Sequence, residues 1–142
     1  TMHNPETRHI PLTQLDEPTC WNLLKAHSFG RLALRSGNKI DILVVKYALY
    51  NNRIYFQSRA GESFRSIVVS REVAFEIDEA RSGSVKSVTV YGQAQWYPYE
   101  LPIKAQELDD IRLANPADMN WVEVIPESIS GHELKILGYP GF

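Results

Sequence analysis

A short stretch in the first half of the chain, SRAGESFRS at positions 58 to 66, has the composition of a loop that binds a phosphate group. It places hydroxyl side chains, one glycine and two arginines between a strand-like run and a helix-like run. Glycine lets the backbone approach an anion closely, and the amides at a helix start can donate to that anion. Such loops usually carry a cation near the glycine, whereas the residue two positions after Gly61 is Ser63. The stretch predicts either a phosphate site with a changed ligand or an ordinary strand-to-helix turn.

Other cations in the sequence can compensate for the serine. Arg59 and Arg65 flank the gap, and Lys46 is expected to approach from a neighbouring strand. An arginine displaced by two positions can still reach the same phosphate, because its side chain is long and forked. Ser63 and Ser66 add hydroxyl donors. We therefore interpret the loop as a modified phosphate site, and the plain turn remains the alternative.

The remaining reactive residue types do not form a recognisable catalytic group. The nucleotide-binding, serine-hydrolase and zinc-protease motifs are absent from the sequence. Cys20 lies on an apolar helix and is expected to act as a small hydrophobic residue. Asp78 and Glu79 are adjacent on a predicted strand, so their side chains point to opposite faces. The histidines lack the spacing of metal ligands; they are His3, His9, His27 and His132.

Length and charge favour one domain that binds small molecules. The chain has 142 residues, 44% of them apolar, which suits a single domain over 1–142 with one core. A formal net charge of −2 is unfavourable for binding nucleic acid or an anionic membrane. No apolar run approaches the roughly 20 residues that span a bilayer. The single cysteine cannot form an internal disulfide, so we expect a cytoplasmic protein.

The pattern of apolar residues predicts a mostly β fold. Closely spaced turns with few helices favour a barrel over alternating strand–helix units. The strand at 40–48 is apolar on both faces, which predicts that one face lines the core and the other meets a partner. Gly92, within a strand, is expected to mark a bulge or bend. The predicted elements are helices over 16–26 and 100–113, barrel strands within 30–97 and 120–137, and separate final strands near 121–125 and 129–137.

Several short motifs in this order resemble a known family. They are FGRLAL (29–34), IDILVVKYAL (40–49), RIYFQSRAGESFRSI (53–67), EVAFEID (72–78) and SVTVYGQA (87–94). Together they resemble the FMN-binding split-barrel family, and the chain is most similar to its small pyridoxamine 5'-phosphate oxidase-like, nitroimidazole-reductase-like members. The resemblance runs from about Asp16 to Ile125. It implies a six-stranded antiparallel split β-barrel, and a homodimer with two flavin sites in the clefts between its subunits.

The resemblance also implies which residues meet the cofactor. The strand that ends in a lysine lies along the flavin, the next strand and its loop hold the phosphate, and a later strand begins against the ring. Ser63 stands where the family usually has a basic residue, and Lys86 stands where it has a polar residue or a tryptophan. The expected cofactor-binding residues are Val44, Val45, Lys46, Tyr47, Ser58, Arg59, Gly61, Ser63, Arg65, Ser87 and Val88.

The expected function is that of an FMN-dependent oxidoreductase acting on a small molecule. The flavin ring would do the chemistry, which agrees with the lack of an obvious catalytic acid or base. True pyridoxamine-phosphate oxidation is not expected, because we find no basic cluster near the C-terminus for the substrate phosphate. One alternative is a non-enzymatic split-barrel binding or stress protein with a lost or changed flavin. Another is a deazaflavin- or haem-binding relative, with His27 or His132 as axial ligand.

Overall fold

The computed structural model of the protein describes residues 12–59, 71–98, 100–113 and 119–136. This part of the chain forms seven strands and two helices. In chain order they are β1 (Leu12–Leu15), α1 (Glu17–Ala26), β2 (Phe29–Ser36), β3 (Lys39–Tyr50), β4 (Arg53–Arg59), β5 (Glu72–Arg81), β6 (Ser84–Pro98), α2 (Gln106–Asp109) and β7 (Met119–Lys135). None of the helices in these ranges has the length and apolar character needed to cross a membrane.

The first helix begins and packs as its sequence predicts. The Asp16 carboxylate accepts a hydrogen bond from the Thr19 amide at 2.9 Å, and a proline occupies the first turn. This contact lowers the pKa of Asp16. Cys20 and Leu24 are buried in the main core. Burial raises the pKa of the Cys20 thiol, which agrees with its expected role as a hydrophobic residue.

The strands form one antiparallel sheet that closes on itself. The order is β1-β7-β4-β3-β2-β5-β6, and β6 also pairs with β7. Six strands therefore form a ring, and β1 is added at Leu134–Gly131 of β7. The expected mostly β, six-stranded antiparallel split barrel is confirmed, with β1 as a strand that the polar start of the chain did not indicate.

Two clusters of buried residues hold the barrel together. The main core fills the interior, where the rings of Tyr47 and Phe75 meet edge to face at 4.9 Å between centroids. The smaller core lies between the barrel and the segment 100–113, and Trp121 is its largest fully buried side chain. The Arg112 guanidinium lies 5.4 Å from the centroid of the Trp121 ring, which helps to hold that segment against β7.

Two predicted elements differ from the structure. The helix expected over 100–113 is short, Gln106–Asp109, because Pro102 disfavours helical backbone at the residue before it, Leu101. The two final strands expected near 121–125 and 129–137 are one strand, β7. A shift in register at Tyr91/Gly92 lets β6 follow β7 through Pro126, so the proline bends the ladder without ending it.

Two glycines are required by close packing in the barrel. A β-carbon on Gly92 would collide with the backbone of Ile125, and Gly92 lies at the register shift, as expected for a bulge. A β-carbon on Gly30 would collide with the ring of Phe75, which is fully buried. Both positions therefore exclude larger residues.

We expect Gly30→Ala to lower the free energy of unfolding by about 1–3 kcal/mol, because the added methyl group overpacks the core against Phe75. Urea unfolding followed by circular dichroism measures this change. The substitution Phe75→Leu makes room for the added methyl group. The Gly30→Ala/Phe75→Leu double variant should therefore lose less free energy of unfolding than the sum of the losses in the two single variants. Strict additivity would contradict a direct clash between these two positions.

Candidate functional site

The strands β3 and β4 separate at the position where the sequence predicts a cofactor. Their pairing runs from Tyr50/Arg53 to Tyr47/Phe56. Beyond that point β3 continues beside β2, with Phe29 opposite Lys46, while β4 continues beside β7 up to Arg59. The split lies between residues 44–46 of β3 and residues 57–59 of β4. It places Val44, Val45 and Lys46 on one side of an opening and Ser58 and Arg59 on the other.

The predicted residues on β3 divide between the two faces of the strand. Val45 and Tyr47 point into the core, and the Tyr47 hydroxyl donates to the Leu24 carbonyl at 2.6 Å. Burial raises the pKa of Tyr47 well above its usual range. Val44 and Lys46 are on the outer face and are exposed. Side-chain contacts with a ligand are therefore available to Val44 and Lys46, whereas Val45 and Tyr47 could contribute through the backbone.

The predicted phosphate-binding residues are described only in part. Ser58 is half-buried near the end of β4, opposite Asn120 of β7, and Arg59 is the last residue of β4. Gly61, Ser63 and Arg65 lie outside the described residues, so their predicted role stays a prediction.

The third predicted group lies elsewhere on the sheet. Ser87 and Val88 are on β6, and β2 and β5 lie between β6 and β3. Three strand spacings amount to about 14 Å along the sheet, and β3 and β6 lie on opposite sides of the six-stranded ring. Val88 is fully buried, whereas Ser87 is half-buried and pairs with Asp78. One subunit therefore does not bring Ser87 to the β3–β4 split.

Beside the split, the outer face of the sheet carries an apolar surface. On β3, the side chains of Ile40, Ile42 and Val44 are 73%, 67% and 72% exposed. One row crosses four strands through the pairs Ile42↔Ala33, Ala33↔Ala74 and Ala74↔Tyr91. We call these six residues the apolar sheet face. The second face of β3, predicted to meet a partner, is thus uncovered in a single chain.

A charged group borders the apolar sheet face. Arg31 is paired with Val44 across the strands, and its Nη1 donates to Glu76 Oε1 at 3.1 Å and to Asp78 Oδ2 at 2.8 Å. Desolvation and the neighbouring Asp78 raise the pKa of Glu76, and Arg31 opposes that rise. Arg31 pairs with both carboxylates inside one subunit, so this group carries one excess negative charge beside the apolar row.

Phe29 is a candidate site residue that the sequence analysis did not identify. It is 62% exposed and lies opposite Lys46 across β2 and β3, with both side chains on the outer face. A planar aromatic ring next to a lysine at the edge of the split can cover a flat ligand. The signal was present in the alternation of β2, where Phe29 shares its phase with the exposed Arg31 rather than with the buried Leu32.

The two histidines considered as haem ligands differ in their surroundings. The Nε2 atom of His27 lies 2.7 Å from Oε2 of Glu79, and the same carboxylate group accepts a hydrogen bond from Arg81 at 2.7 Å. Arg81, followed by His27, lowers the pKa of Glu79. His132 is on β7, paired with Ser87 of β6 and Gln14 of β1. The His27 side chain is therefore already bound to a carboxylate.

Comparison with known proteins decides the family. Residues 16–133 match the family model described as pyridoxamine 5'-phosphate oxidase. The chain belongs to this family. The resemblance drawn from the sequence motifs is confirmed. The family model matches residues 16–133, a longer range than the residues 16–125 that carried the resemblance. A comparison with curated proteins found no match to the chain.

Solved structures of similar proteins share the fold of this member of the pyridoxamine 5'-phosphate oxidase family. The FAD-binding protein from Mycobacterium smegmatis is 26% identical, with a TM-score of 0.70 over 87% of this chain and 100% of that one. An FAD-binding protein from Mesorhizobium loti is 23% identical, with a TM-score of 0.75 over 87% and 99%. A candidate pyridoxamine 5'-phosphate oxidase from Corynebacterium glutamicum is 24% identical, with a TM-score of 0.69 over 89% and 100%.

Proposed function

We propose that this pyridoxamine 5'-phosphate oxidase family member binds FMN and transfers electrons to or from a small molecule as a homodimer. The observation that carries the proposal is the split between β3 and β4. It offers an opening with Val44 and Lys46 on one side, the end of β4 on the other and Phe29 at the edge. A flat ring that carries a phosphate suits such an opening, because its walls are apolar and a cation stands beside them.

Lys46 is the described cation best placed for the phosphate. It is exposed on the outer face of β3, beside the opening that leads toward the end of β4. The sequence after β4 supplies Gly61, Ser63 and Arg65 as further candidates, together with Ser58 and Arg59. Charge-assisted contacts to a phosphate are about twice as strong as neutral hydrogen bonds, so these cations favour FMN over riboflavin.

A second copy of the chain is the occupant that we propose for the apolar sheet face. An exposed apolar row across four strands marks an interaction surface, and the two alanines at its centre permit close approach of another sheet. Burying the same face of two copies gives a self-complementary interface. The partner subunit then supplies residues to each cofactor cleft, which accounts for the separation of Ser87 and Val88 from Lys46 within one chain.

When bound, FMN would supply the electron transfer. The residues of the chain would position it: backbone groups of 44–46 along one edge of the ring, Phe29 and Val44 against its apolar surface, and Lys46 at the phosphate. The apolar walls and the partner subunit would exclude water from the ring. The single buried cysteine agrees with a reducing compartment, and we propose the cytoplasm.

The names of two relatives also make FAD a candidate ligand, because both are called FAD-binding proteins. The test adds FMN, FAD or riboflavin to the purified protein and then measures NADH or NADPH oxidation with menadione as electron acceptor. We expect FMN to bind and to support turnover above the rate of free FMN. Bound FMN without turnover would favour a non-enzymatic binding protein. A protein that stays colourless with every flavin would favour a barrel that has lost the cofactor.

A further inference from the structure

A buried carboxylate on the outer face of the barrel is the centre of a second polar cluster. Glu123 of β7 is 4% exposed. Its Oε2 accepts hydrogen bonds from the Tyr55 hydroxyl at 2.6 Å and from Arg53 Nη1 at 3.1 Å. Its Oε1 accepts one from the Tyr97 hydroxyl at 3.1 Å. Three strands, β4, β6 and β7, therefore contribute side chains to one fixed group.

This cluster forms the floor of a pocket of about 360 Å³. The pocket lies where β3 and β4 are paired, at the opposite end from their split. Leu101, Pro102 and Ile103 cover one side of it, and Tyr50 adds a further aromatic wall. A volume of this size is within the range of small-molecule sites, which are typically apolar with a few fixed polar groups.

The charges of the pocket balance. Within the described part of the chain, Arg53 is the cation paired with the buried Glu123, and their contact raises the pKa of Arg53. Burial, with the hydrogen bond to Glu123, raises the pKa of both Tyr55 and Tyr97, so both phenols stay neutral. A charged ligand would lose its hydration and meet no unbalanced opposite charge. The pocket therefore favours a neutral ligand.

Hydrogen-bond donors stand at one edge of the pocket. The Arg53 side chain is 44% exposed and uses Nη1 for Glu123, so the fork retains donors that face outward. Asn51 lies beside it in a two-residue turn, where both Asn51 and Asn52 have positive φ, at 51° and 58°. That turn places Asn51 at the pocket rim. Donors at one edge and aromatic walls elsewhere suit a flat ligand that carries an acceptor oxygen.

We propose that this pocket binds a neutral aromatic molecule carrying a carbonyl or carboxamide group, with its ring between the tyrosines and the 101–103 segment. The oxygen would accept from Arg53 and Asn51. The proposal goes beyond flavin binding and does not depend on it, because the described lining residues all belong to one subunit and lie away from the β3–β4 split.

Three probes of nearly the same shape test the ligand class. Benzamide is neutral, benzoate is an anion and benzamidine is a cation. Amide chemical shifts of the full chain are followed by NMR during titration with each probe. We expect benzamide to bind with a dissociation constant of about 1 mM, typical of such a small ligand. The shifts should centre on residues 50–53, 97, 101–103 and 123, and benzoate and benzamidine should bind at least about tenfold more weakly. Equal binding of all three probes, or no shifts at these residues, would overturn the proposal.

Two pairs of variants test the location. Ile103→Trp fills the pocket and should abolish benzamide binding, whereas Lys104→Trp adds the same indole at an exposed neighbour and should leave it unchanged. Asn51→Gly removes the amide but keeps a residue that tolerates positive φ, and should weaken binding about 2- to 10-fold. Asn52→Gly is its control, because Asn52 shares the turn but does not line this pocket.

Competition separates this site from the flavin site. Benzamide shifts that persist at saturating FMN, or in a protein that binds no flavin, support an independent pocket. Displacement of benzamide by FMN would show that one site serves both ligands and would contradict the proposal. Unchanged benzamide binding in both Ile103→Trp and Asn51→Gly would also overturn it, whatever the outcome for FMN.

Discussion

Ile42→Glu is expected to leave the protein monomeric at concentrations where the unchanged protein is a dimer. Ile42 is 67% exposed in one subunit and lies in the row that joins β3, β2, β5 and β6. In the proposed dimer it is buried against the second copy, and an unpaired carboxylate there costs at least about 3 kcal/mol. The dimer dissociation constant should rise at least about 100-fold. Light scattering coupled to size-exclusion chromatography measures the change.

Leu12→Glu is the matched control for this substitution. Leu12 is similarly exposed, at 64%, but it is on β1, outside the row that joins β3, β2, β5 and β6. The dimer should persist in this variant. Loss of the dimer in both variants, or in neither, would contradict the assignment of the interface to the apolar sheet face. Flavin affinity should fall only in Ile42→Glu, because the proposed cofactor clefts lie between the subunits of the proposed dimer.

Lys46→Ala is expected to weaken FMN binding about 10- to 100-fold. The proposed contact is a charge-assisted bond to the phosphate, and hydrogen bonds to charged groups contribute about 1.5–3 kcal/mol. Quenching of flavin fluorescence during titration gives the dissociation constant. Stability should change little, because Lys46 is exposed.

Lys39→Ala provides the control at the other end of the same strand. Lys39 is also exposed and pairs with Ser36 in the β2–β3 hairpin, away from the split. The Lys39→Ala substitution removes one positive charge, as Lys46→Ala does, so any general electrostatic effect on an anionic ligand appears equally in both variants. Equal weakening by the two substitutions would argue against a direct role for Lys46.

The sequence predicted the fold where local signals and packing agreed. Strict alternation located β2, β4, β5 and β6, and the cap at Asp16 located α1. The length of the helix near Leu108 was overestimated. The spacing of apolar residues over 100–113 suggested one long helix, but this segment docks onto β4 and β7 as a mostly irregular chain. There the Leu113 amide donates to Gln57 Oε1 at 2.7 Å. That contact joins residues 56 positions apart, which no local pattern reveals.

Features of the candidate site that lie within one strand could be predicted from the sequence, whereas the distances between residues on different strands could not. The apolar run of β3 correctly indicated a second, uncovered face, because residues on both faces were hydrophobic. The distance between Lys46 and Ser87 follows from strand order, which depends on long-range pairing of β2 with both β3 and β5. Motif order places the two residues in the same family pattern, but it does not reveal how far apart they lie in one subunit.

The Glu123 cluster shows another kind of long-range signal. The sequence gives a single carboxylate within the apolar run WVEVI, and its spacing places it on the outer face. Its partners come from β4 and from the end of β6, and they meet it only because β7 pairs with both strands. A charged residue inside an otherwise apolar strand was the available clue, and the tertiary structure identified its partners.

The affinity ratio of FMN to riboflavin tests the central claim most directly, since these ligands share the ring and differ in the phosphate. Both are titrated into the unchanged protein under identical salt and pH, with fluorescence quenching as the readout. The proposed phosphate site predicts that FMN binds at least about tenfold more tightly than riboflavin. Equal dissociation constants for the two flavins would contradict a phosphate site beside the β3–β4 split.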